Sequence, residues 1–500
     1  MGGAKVKKKK RGLKEQYNLL TRDLNWEPTY VSREEMYPYT TFEGIKIHDW
    51  ERFEDPFRVT VESYVRIQAE KERKFHAIRE NINVLQSQLD ISDARWLEAM
   101  KLFSGVAFNG EYNAHRIFQY VARHVPISAI RFAAITQSMD ELRHVQNEVL
   151  MFNNYNKYFS GFHSWKQVSH RHWLMSVIKS FFEDAQSAGP FEALAAIAFG
   201  FEVAFTNILF VTMGSTAVAN NDHSYASVGF TSQSDESRHM TLGMMALRAM
   251  LEEDPDNVPI VQGWLDKWFW RSYRAFTAVA YILDYIAPNK VVSWKEAYEM
   301  YIENQLLDGL FKDLEVYGVR KPKYHEQAVA EKEHLSHAVS FILYRVPHVN
   351  FFHTFAPTDA DKKWFEEKYE DSWKNIWSKK WEEYEDPSFK REYPGLPMLC
   401  QTCQYPMIFP EPDDISKTAF RSSEYEEETY HFCSDGCKDI FDHEPDKYKQ
   451  AWMPVNEILN GNCGPLENLH EYWGIEPDDG GDYYESLDYE NFQKWKKMRA

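Results

Sequence analysis

The chain has 500 residues, a formal net charge of −19 and a high aromatic content. This negative charge excludes a general nucleic-acid-binding surface, because phosphate backbones attract basic patches. Five cysteines, four of them in one compact cluster, do not suggest a disulfide framework. No apolar segment typical of a secretory signal follows the first residues. We therefore expect a cytoplasmic protein without a nucleic-acid partner.

Composition divides the sequence into four segments. Residues 1–55 are polar, with proline and aromatic interruptions, and predict an extended N-terminal arm. Residues 56–390 have helical periodicity and predict a helical domain. Residues 391–470 hold the clustered cysteines and short β-like runs, which predict a small α/β module. Residues 471–500 predict an acidic C-terminal segment.

Within the helical segment, breaks are predicted at Pro126, Gly189-Pro190, Asp254-Pro255 and Pro288-Asn289, where proline and asparagine favour termination. Amphipathic surface helices are predicted over 360–390. The other predicted helices are Val59–Ile82, Ser92–Tyr120, Ala129–Tyr158, His172–Gln186, Phe191–Val218, Tyr225–Glu253, Val261–Ile286, Trp294–Val316 and Tyr324–Arg345.

One run, Phe191 to Met213, is apolar and long enough to span a bilayer. It carries Glu192 and Glu202, however, and no second convincing span follows. A helix buried in a protein bundle explains both its hydrophobicity on all faces and the embedded glutamate. We therefore predict no membrane association.

Two nearly identical pentapeptides contain the main functional motif: Asp140-Glu141-Leu142-Arg143-His144 and Asp235-Glu236-Ser237-Arg238-His239. On a helix, residues i and i+3 share a face, so each Glu and His can reach one metal ion. Four-helix bundles with dinuclear carboxylate sites take Glu-x-x-His from two helices and a single Glu from each of the others.

Two single glutamates stand in the matching order. Glu111 lies 30 residues before Glu141, and Glu202 lies 34 residues before Glu236, which is room for a helix, a turn and a return. A lone Glu-x-x-His is usually a solvated helix face, but two such pairs with both single glutamates favour a dinuclear site. The predicted fold is thus mainly α, with a ferritin-like four-helix bundle core.

The charge of this donor set suits two divalent cations. Four glutamates and two neutral histidines carry −4, and two ferrous ions carry +4, so a reduced cluster is neutral inside an apolar bundle. Imidazole with carboxylate suits iron better than calcium or magnesium, and manganese remains an alternative.

Residues beside the ligands have predicted supporting functions. Asp140 and Asp235 are expected to bond the far N–H of a ligand histidine, each toward the other helix pair. Arg143 and Arg238 are expected to offset the acidic charge. The alternative for all four is ordinary surface ion pairing.

Several further side chains are expected to face the cluster. Thr206 is four residues after Glu202 and can relay a proton, unless it bonds back to its own helix. Gln233, three residues before Glu236, faces the same side. An apolar substrate pocket is predicted from residues that flank the glutamates, unless they are plain core: Ala107, Gly110, Ala114, Phe201 and Phe210.

The clustered cysteines predict a structural metal site. Cys400 and Cys403 form C-x2-C, and Cys433 and Cys437 form C-x3-C after an interval of 29 residues. Four thiolates on two turns indicate tetrahedral zinc. An iron–sulfur cluster on the same thiolates is the alternative. His431 is a possible substitute ligand, and Cys463 is interpreted as an inert buried thiol.

These residues carry a family likeness. The chain resembles the large (α) subunit of soluble bacterial multicomponent diiron monooxygenases, and most of all that of phenol hydroxylase, over about residues 14 to 470. The segments that carry the resemblance are Tyr17–Trp26, Phe42–Ile47, Met139–Val145, Phe201–Phe210, Gln233–Gly243, Asp256–Arg271 and Cys433–Cys437.

The resemblance implies specific assignments. Thr206 matches the family's active-site threonine, and Asn207 and Gln233 match residues that flank a small pore responsive to a regulatory protein. The cysteines match a zinc module of phenol hydroxylase-like subunits. The residues that match the family's iron ligands are Glu111, Glu141, His144, Glu202, Glu236 and His239.

It also implies an assembly and a reaction. The family's hydroxylase is an α2β2γ2 complex with a small regulatory protein and an NADH-dependent flavin and [2Fe–2S] reductase. One atom of O2 enters the substrate and the other becomes water. We predict hydroxylation of phenol or a methylphenol to a catechol.

Other functions remain open at this point. The same family includes oxygenases of alkenes, short alkanes and organic sulfides, because pocket shape decides the substrate. Outside it, a ferroxidase or a radical-generating diiron protein uses similar ligands. A ferroxidase needs only one bundle, and a radical-generating subunit does not explain the cysteine module.

Overall fold

The computed structural model describes residues 11–159, 161–162, 165–386, 388, 398–411, 414–464, 469–474 and 483–499. The N-terminal segment, predicted as an extended arm, contains three short helices joined by irregular chain. They are α1 (Leu13–Thr21), α2 (Arg33–Met36) and α3 (Pro38–Glu43).

Helices of 5 to 31 residues form the body of the protein. They are α4 (Val61–Leu85), α5 (Arg95–Ser104), α6 (Ala107–His124), α7 (Ser128–Tyr155), α8 (Trp165–Arg171), α9 (Ser176–Ser187), α10 (Pro190–Leu194), α11 (Met213–Ala219), α12 (His223–Glu253), α13 (Asn257–Ala275) and α14 (Thr277–Tyr281). The prediction of a mainly α fold with a four-helix bundle core is confirmed.

Further helices cover the body. They are α15 (Trp294–Tyr298), α16 (Phe311–Leu314), α17 (His325–Glu331), α18 (Leu335–Arg345), α19 (Asp359–Ser372) and α20 (Ser378–Glu385). The π-helical stretches are Ala195–Thr206, Ile208–Thr212, Ile282–Ile286, Glu299–Leu310 and Trp373–Trp377, and the short 3-10 turns are Ser87–Asp90, Glu315–Tyr317, Pro347–Val349 and Tyr483–Glu485.

The cysteine module contains two antiparallel strand pairs followed by short helices. Its elements are β1 (Pro410–Glu411), β2 (Asp414–Thr418), β3 (Arg421–Tyr425), β4 (Glu428–Phe432), α21 (Asp435–His443), α22 (Pro445–Tyr448) and α23 (Pro454–Leu459). In the second pair, Arg421 faces Phe432 and Tyr425 faces Glu428.

The C-terminal region adds α24 (Leu469–Trp473) and α25 (Leu487–Arg499). The predicted boundary between residues 470 and 471 falls inside α24. The boundary between 390 and 391 lies outside the described residues. The division of the chain into segments therefore stays a prediction.

Three predicted helices are broken in the structure, and one of them, Val261–Ile286, is divided into α13 and α14 at Phe276. The predicted helix Ser92–Tyr120 is divided into α5 and α6 at Gly105 and Val106. A Cβ at Gly105 would lie 2.9 Å from Met175 Sδ, and the Gly105 carbonyl accepts the Ser169 hydroxyl instead of continuing the helix. The predicted helix Tyr324–Arg345 is likewise divided into α17 and α18.

The run Pro190–Ala219, here called the Glu202 helix, lies at the centre. It is the described helix that is long and apolar enough to cross a membrane, with a mean hydropathy of 2.0, and 72% of that window is buried inside the protein. Twelve of its residues, Ala195–Thr206, are π-helical, a distortion that is frequent at functional sites.

Two glycines let neighbouring helices approach the Glu202 helix closely. A Cβ at Gly200 would lie 3.0 Å from the Trp268 carbonyl of α13, and a Cβ at Gly243 of α12 would lie 2.4 Å from the Ala198 Cβ. Substituting either glycine would push the helices apart, because packed interiors have no spare volume.

Residues of the N-terminal segment hold the ends of these helices. Glu43 accepts backbone N–H bonds from Phe191 (3.2 Å) and Glu192 (2.7 Å) at the start of the Glu202 helix. Asn257, at the start of α13, exchanges two 2.8 Å bonds with the backbone of Lys46. Burial raises the pKa of Glu43 to about 8.

Asp222 joins three elements beneath the bundle. It caps α12 by accepting N–H bonds from Ser224 and Tyr225. Its other oxygen accepts bonds of 2.7 Å from Trp96 of α5 and Tyr155 of α7. This cap explains why α12 begins two residues before the predicted start at Tyr225.

Candidate metal and active site

Four helices bring the six predicted iron ligands together. Glu111 is on α6, Glu141 and His144 are on α7, Glu202 is on the Glu202 helix, and α12 supplies the remaining pair, Glu236 and His239. Their donor atoms form two overlapping groups, each within 4.8 Å. The first group contains Glu111, Glu141, His144 and Glu236. The second contains Glu141, Glu202, Glu236 and His239.

The shared glutamates lie between the two histidines. His239 Nδ1 is 3.0 Å from a Glu141 oxygen and 3.1 Å from a Glu236 oxygen. His144 Nδ1 is 3.4 Å and 3.3 Å from the other oxygens of the same two residues. Glu141 and Glu236 therefore belong to both donor groups and would bind both cations of a dinuclear site.

The outer glutamates each face one histidine. Glu111 lies 3.6 Å from His144 Nδ1, and Glu202 lies 3.3 Å from His239 Nδ1. Each cation position thus has one histidine, one glutamate of its own and two shared glutamates. This arrangement is symmetric, as the repeated pentapeptides predict.

Unpaired acceptor atoms support a fit to metal ions. Both oxygens of Glu141, one oxygen each of Glu202 and Glu236, and His144 Nδ1 are buried without a hydrogen-bond partner. Ionised carboxylates only accept hydrogen bonds, so their convergence in an apolar interior is costly without a cation. The N/O donor set suits iron or manganese.

The pKa directions reflect this crowding of negative charge. Burial, together with the carboxylates of Glu236 and Glu111, raises the pKa of Glu141 well above its usual value. Burial also raises the pKa of Glu202, to about 8. For His144, burial lowers the pKa, but the nearby carboxylates of Asp235, Glu111 and Glu141 outweigh it and raise the pKa well above normal. Bound cations would replace these protons.

The aspartates of the pentapeptides lie behind the histidines in a crossed arrangement. His144 Nε2 is 3.4 Å from Asp235, and His239 Nε2 is 3.4 Å from Asp140. Each aspartate thus faces the histidine of the other pentapeptide. Their predicted function of orienting metal ligands fits this geometry.

Arg143 and Arg238 lie between these aspartates. Arg143 donates to Asp235 at 3.1 Å, and Arg238 donates to Asp140 and, at 2.8 Å, to Asp235. Both aspartates are fully buried, so these contacts are not surface ion pairs. Bonds and charges from His144 and Lys71 outweigh burial and hold the pKa of Asp235 far below normal.

Sequence reasoning missed a contribution from α4. Gln68 donates to Asp140 (2.6 Å) and Asp235 (2.8 Å), Lys71 pairs with Asp235 (2.5 Å), and Tyr64 donates to Asp140 (3.0 Å). The spacing of residues 64, 68 and 71 places them on one helix face. This polar stripe on one face of α4 is the sequence pattern that could have predicted the contacts with Asp140 and Asp235.

An apolar cavity of about 80 Å³ lies directly against the cluster. Thr206, which is buried, also lines it, as do Phe276 of the loop after α13 and Glu148 of α7. The five predicted pocket residues all line this cavity: Ala107, Gly110, Ala114, Phe201 and Phe210.

Asn207 and Gln233 meet beside the cluster. Gln233 Nε2 donates to Asn207 Oδ1 at 2.8 Å, which joins α12 to the Glu202 helix. Both side chains are half-buried, and neither lines the cavity. They lie where the two helices approach the protein surface.

The four predicted zinc ligands also converge, in what is called here the cysteine cluster. Cys433 Sγ is 3.7 Å from the sulfurs of Cys403 and Cys437, and Cys400 belongs to the same fully buried group. A tetrahedral ion with Zn–S bonds of about 2.3 Å separates its sulfurs by about 3.8 Å. The cysteine cluster therefore fits zinc.

The other two candidate ligands, His431 and Cys463, are not part of the cysteine cluster. Among the described residues, the donor group contains the four cysteines without His431 or Cys463. Cys463 is buried. Trp270 of α13 donates its indole N–H to Cys437 Sγ at 3.2 Å, a contact that the sequence did not predict.

Comparison with known proteins identifies the family. Residues 26–254 match the Methane/Phenol/Alkene Hydroxylase family, and residues 410–452 match the YHS domain. The oxygenase component DmpN of phenol 2-monooxygenase from Pseudomonas sp. (strain CF600) is 46% identical over 499 residues, covering 99% of this chain and 96% of that protein.

A second relative and a solved structure agree. The oxygenase subunit alpha of an alkene monooxygenase system from Xanthobacter autotrophicus Py2 is 26% identical, covering 92% of this chain and 93% of that protein. Xenon-pressurised phenol hydroxylase from Pseudomonas sp. OX1 superposes with a TM-score of 0.93 and 45% identity, covering 97% of this chain and 100% of that one. The chain belongs to the methane, phenol and alkene hydroxylase family and is the oxygenase subunit of a monooxygenase.

Proposed function

We propose that this chain hydroxylates phenol or a methylphenol to a catechol at a dinuclear iron centre. The observation that carries the proposal is the contact between the Glu/His cluster and an apolar, partly aromatic cavity. The proposed iron ligands are Glu111, Glu141, His144, Glu202, Glu236 and His239. Two bound irons would supply the binding and reduction of dioxygen.

The protein's own side chains would bind the substrate, exclude water, transfer a proton and orient the metal ligands. The apolar wall, including Phe201 and Phe210, excludes bulk water and holds an aromatic ring by apolar contact. Thr206 lines the same space, and its hydroxyl can hold or pass a proton at Oγ1. Asp140 and Asp235 fix the histidine rings, so that each Nδ1 points inward.

Phenols are favoured over the other substrates of the family by sequence similarity. The phenol 2-monooxygenase component is 46% identical to this chain, whereas the alkene and propane oxygenases are 26–28% identical. A cavity of about 80 Å³ has room for several water-sized groups, so it accepts only a small molecule. Alkenes, short alkanes and organic sulfides are the alternative substrates.

We further propose the components that work with this chain. Its relatives are named as components or subunits of monooxygenase systems, which supports the presence of other components. We propose that these include β and γ subunits in an α2β2γ2 hydroxylase. Electrons would come from NADH through a separate flavin and [2Fe–2S] reductase. A small regulatory protein would act near Asn207 and Gln233, which join two ligand-bearing helices.

The cysteine cluster is proposed to hold structural zinc through Cys400, Cys403, Cys433 and Cys437. Its sulfurs are fully buried, which leaves no open position for substrate. All five cysteines are free of disulfides, which supports a cytoplasmic location.

Product analysis under 18O2 tests the proposed function. The chain is co-expressed with its partner components and offered phenol, toluene, propene and dimethyl sulfide. We expect 18O-labelled catechol as the fastest-formed product. Faster formation of an epoxide or a sulfoxide would confirm the monooxygenase reaction but would show that an alkene or an organic sulfide is the preferred substrate. No labelled product, with iron present, would contradict the proposed oxygenation.

A further inference from the structure

Glu148 is a cavity-lining carboxyl group outside the proposed ligand set. It is 1% exposed, and its Oε2 atom is buried without a hydrogen-bond partner. Neither donor group of the Glu/His cluster includes it. A buried polar group without a partner costs free energy, whereas one that meets its partner in a bound molecule recovers that cost. The cavity therefore contains a polar position that no metal ligand explains.

The position of Glu148 on α7 places its side chain where a substrate beside the Glu/His cluster would bind. Glu148 follows His144 by four residues and Glu141 by seven, so all three lie on one helix face. The rise from His144 is about 6 Å, and helical side chains lean toward the N-terminus. Most other residues that line the cavity, among them Leu102 and Phe103, are apolar.

We propose that Glu148 binds the hydroxyl group of a phenol and so determines substrate specificity and the position of attack. This inference rests on the proposed function. A phenol O–H donates to a carboxylate, and equally to the carbonyl oxygen of a protonated carboxyl group. The hydrogen bond, about 2.7 Å long, holds the carbon next to the C–O carbon toward the cluster, which gives a catechol.

Discrimination should be strongest against a substrate without the hydroxyl. Toluene has nearly the shape of phenol but leaves Glu148 unpaired. A site built to bond a substrate hydroxyl rejects such an analogue, because its own polar group stays unsatisfied. An entirely apolar cavity would show little preference between the two rings.

The test compares phenol with toluene in two variants of the assembled hydroxylase. Glu148→Met removes the polar group at similar length, and Glu148→Gln keeps an acceptor oxygen. We measure kcat/KM, phenol products, iron per chain, and calorimetric Kd values of both ligands for the resting protein.

For Glu148→Met, we expect the phenol-to-toluene ratio of kcat/KM to fall about 10- to 100-fold, with weaker phenol binding, unchanged iron and some hydroquinone beside catechol. Glu148→Gln should restore most of the ratio. An unchanged ratio in the Met variant would overturn the proposal. So would equal losses for both substrates together with lost iron, which would assign Glu148 to support of the cluster. If the unaltered enzyme makes no catechol, the proposed function itself fails, and this inference with it.

Discussion

The Glu/His cluster and the cysteine cluster are both buried, but their surroundings differ. The Glu/His cluster borders a cavity lined by Thr206 and apolar side chains. The sulfurs of the cysteine cluster are fully buried, and Trp270 donates to one of them. Catalytic metal sites keep a position open for substrate, whereas structural sites are closed by protein ligands.

The two clusters also have charged neighbours of opposite sign. Asp140 and Asp235 lie behind the two histidines of the N/O donor set. Arg271 and Arg274 of α13 lie near the thiolates, and Arg271 also donates to the Thr402 carbonyl at 2.9 Å. Thiolates need nearby positive groups, because four of them exceed the charge of one zinc ion.

The largest expected effect comes from removing a shared glutamate. Glu141→Ala takes a donor from both cation positions. We expect fewer than two irons per chain and no measurable turnover, as determined by metal analysis and product formation. Glu326→Ala, which changes an exposed helical glutamate, is the control. Full iron and normal turnover in Glu141→Ala would refute the ligand assignment.

The glutamates and histidines were predictable because helical periodicity is a local property. Spacings of three residues within each pair, and of 30 and 34 between ligand helices, carry the geometry of the bundle. The cysteine pairs were predictable for a similar reason, since short spacings bring thiolates to one turn.

Features that depend on distant contacts were not predictable. The break at Gly105 arises from packing against Met175 and Phe351, and neither contact has a local signal. The contacts of Gln68 with both aspartates depend on how α4 lies on the bundle. Glu148 does share a helix face with Glu141, but only the cavity shows that it faces a substrate-sized space.

Removal of one thiolate should affect the closed cluster alone. Cys433→Ser takes away a sulfur that is 3.7 Å from two others. We expect loss of zinc and a lower melting temperature, with the iron ligands intact. Metal analysis and thermal unfolding measure both effects. Cys463→Ser, at a buried cysteine outside the cluster, should keep the zinc. Retained zinc and stability in Cys433→Ser would refute the structural function.

A smaller effect is expected from the groups behind the histidines. Asp235→Asn keeps the shape but removes the charge that faces His144 Nε2. We expect iron affinity or kcat to fall about 10- to 100-fold, measured by iron titration and steady-state kinetics. Asp308→Asn, at a largely exposed carboxylate, is the control. Equal behaviour of the two variants would show that Asp235 does not orient the ligand.

The smallest effect tests whether the two clusters are independent. Trp270→Phe removes the N–H donor to Cys437 while keeping an aromatic ring on α13. The loss of one hydrogen bond should speed zinc release to a chelator by about two- to tenfold, with unchanged turnover. However, α13 ends at Ala275, which lines the cavity. A parallel fall in turnover would show that the cysteine module supports the cavity wall through this helix, and unchanged zinc release would show that the Trp270 bond contributes nothing to the cluster.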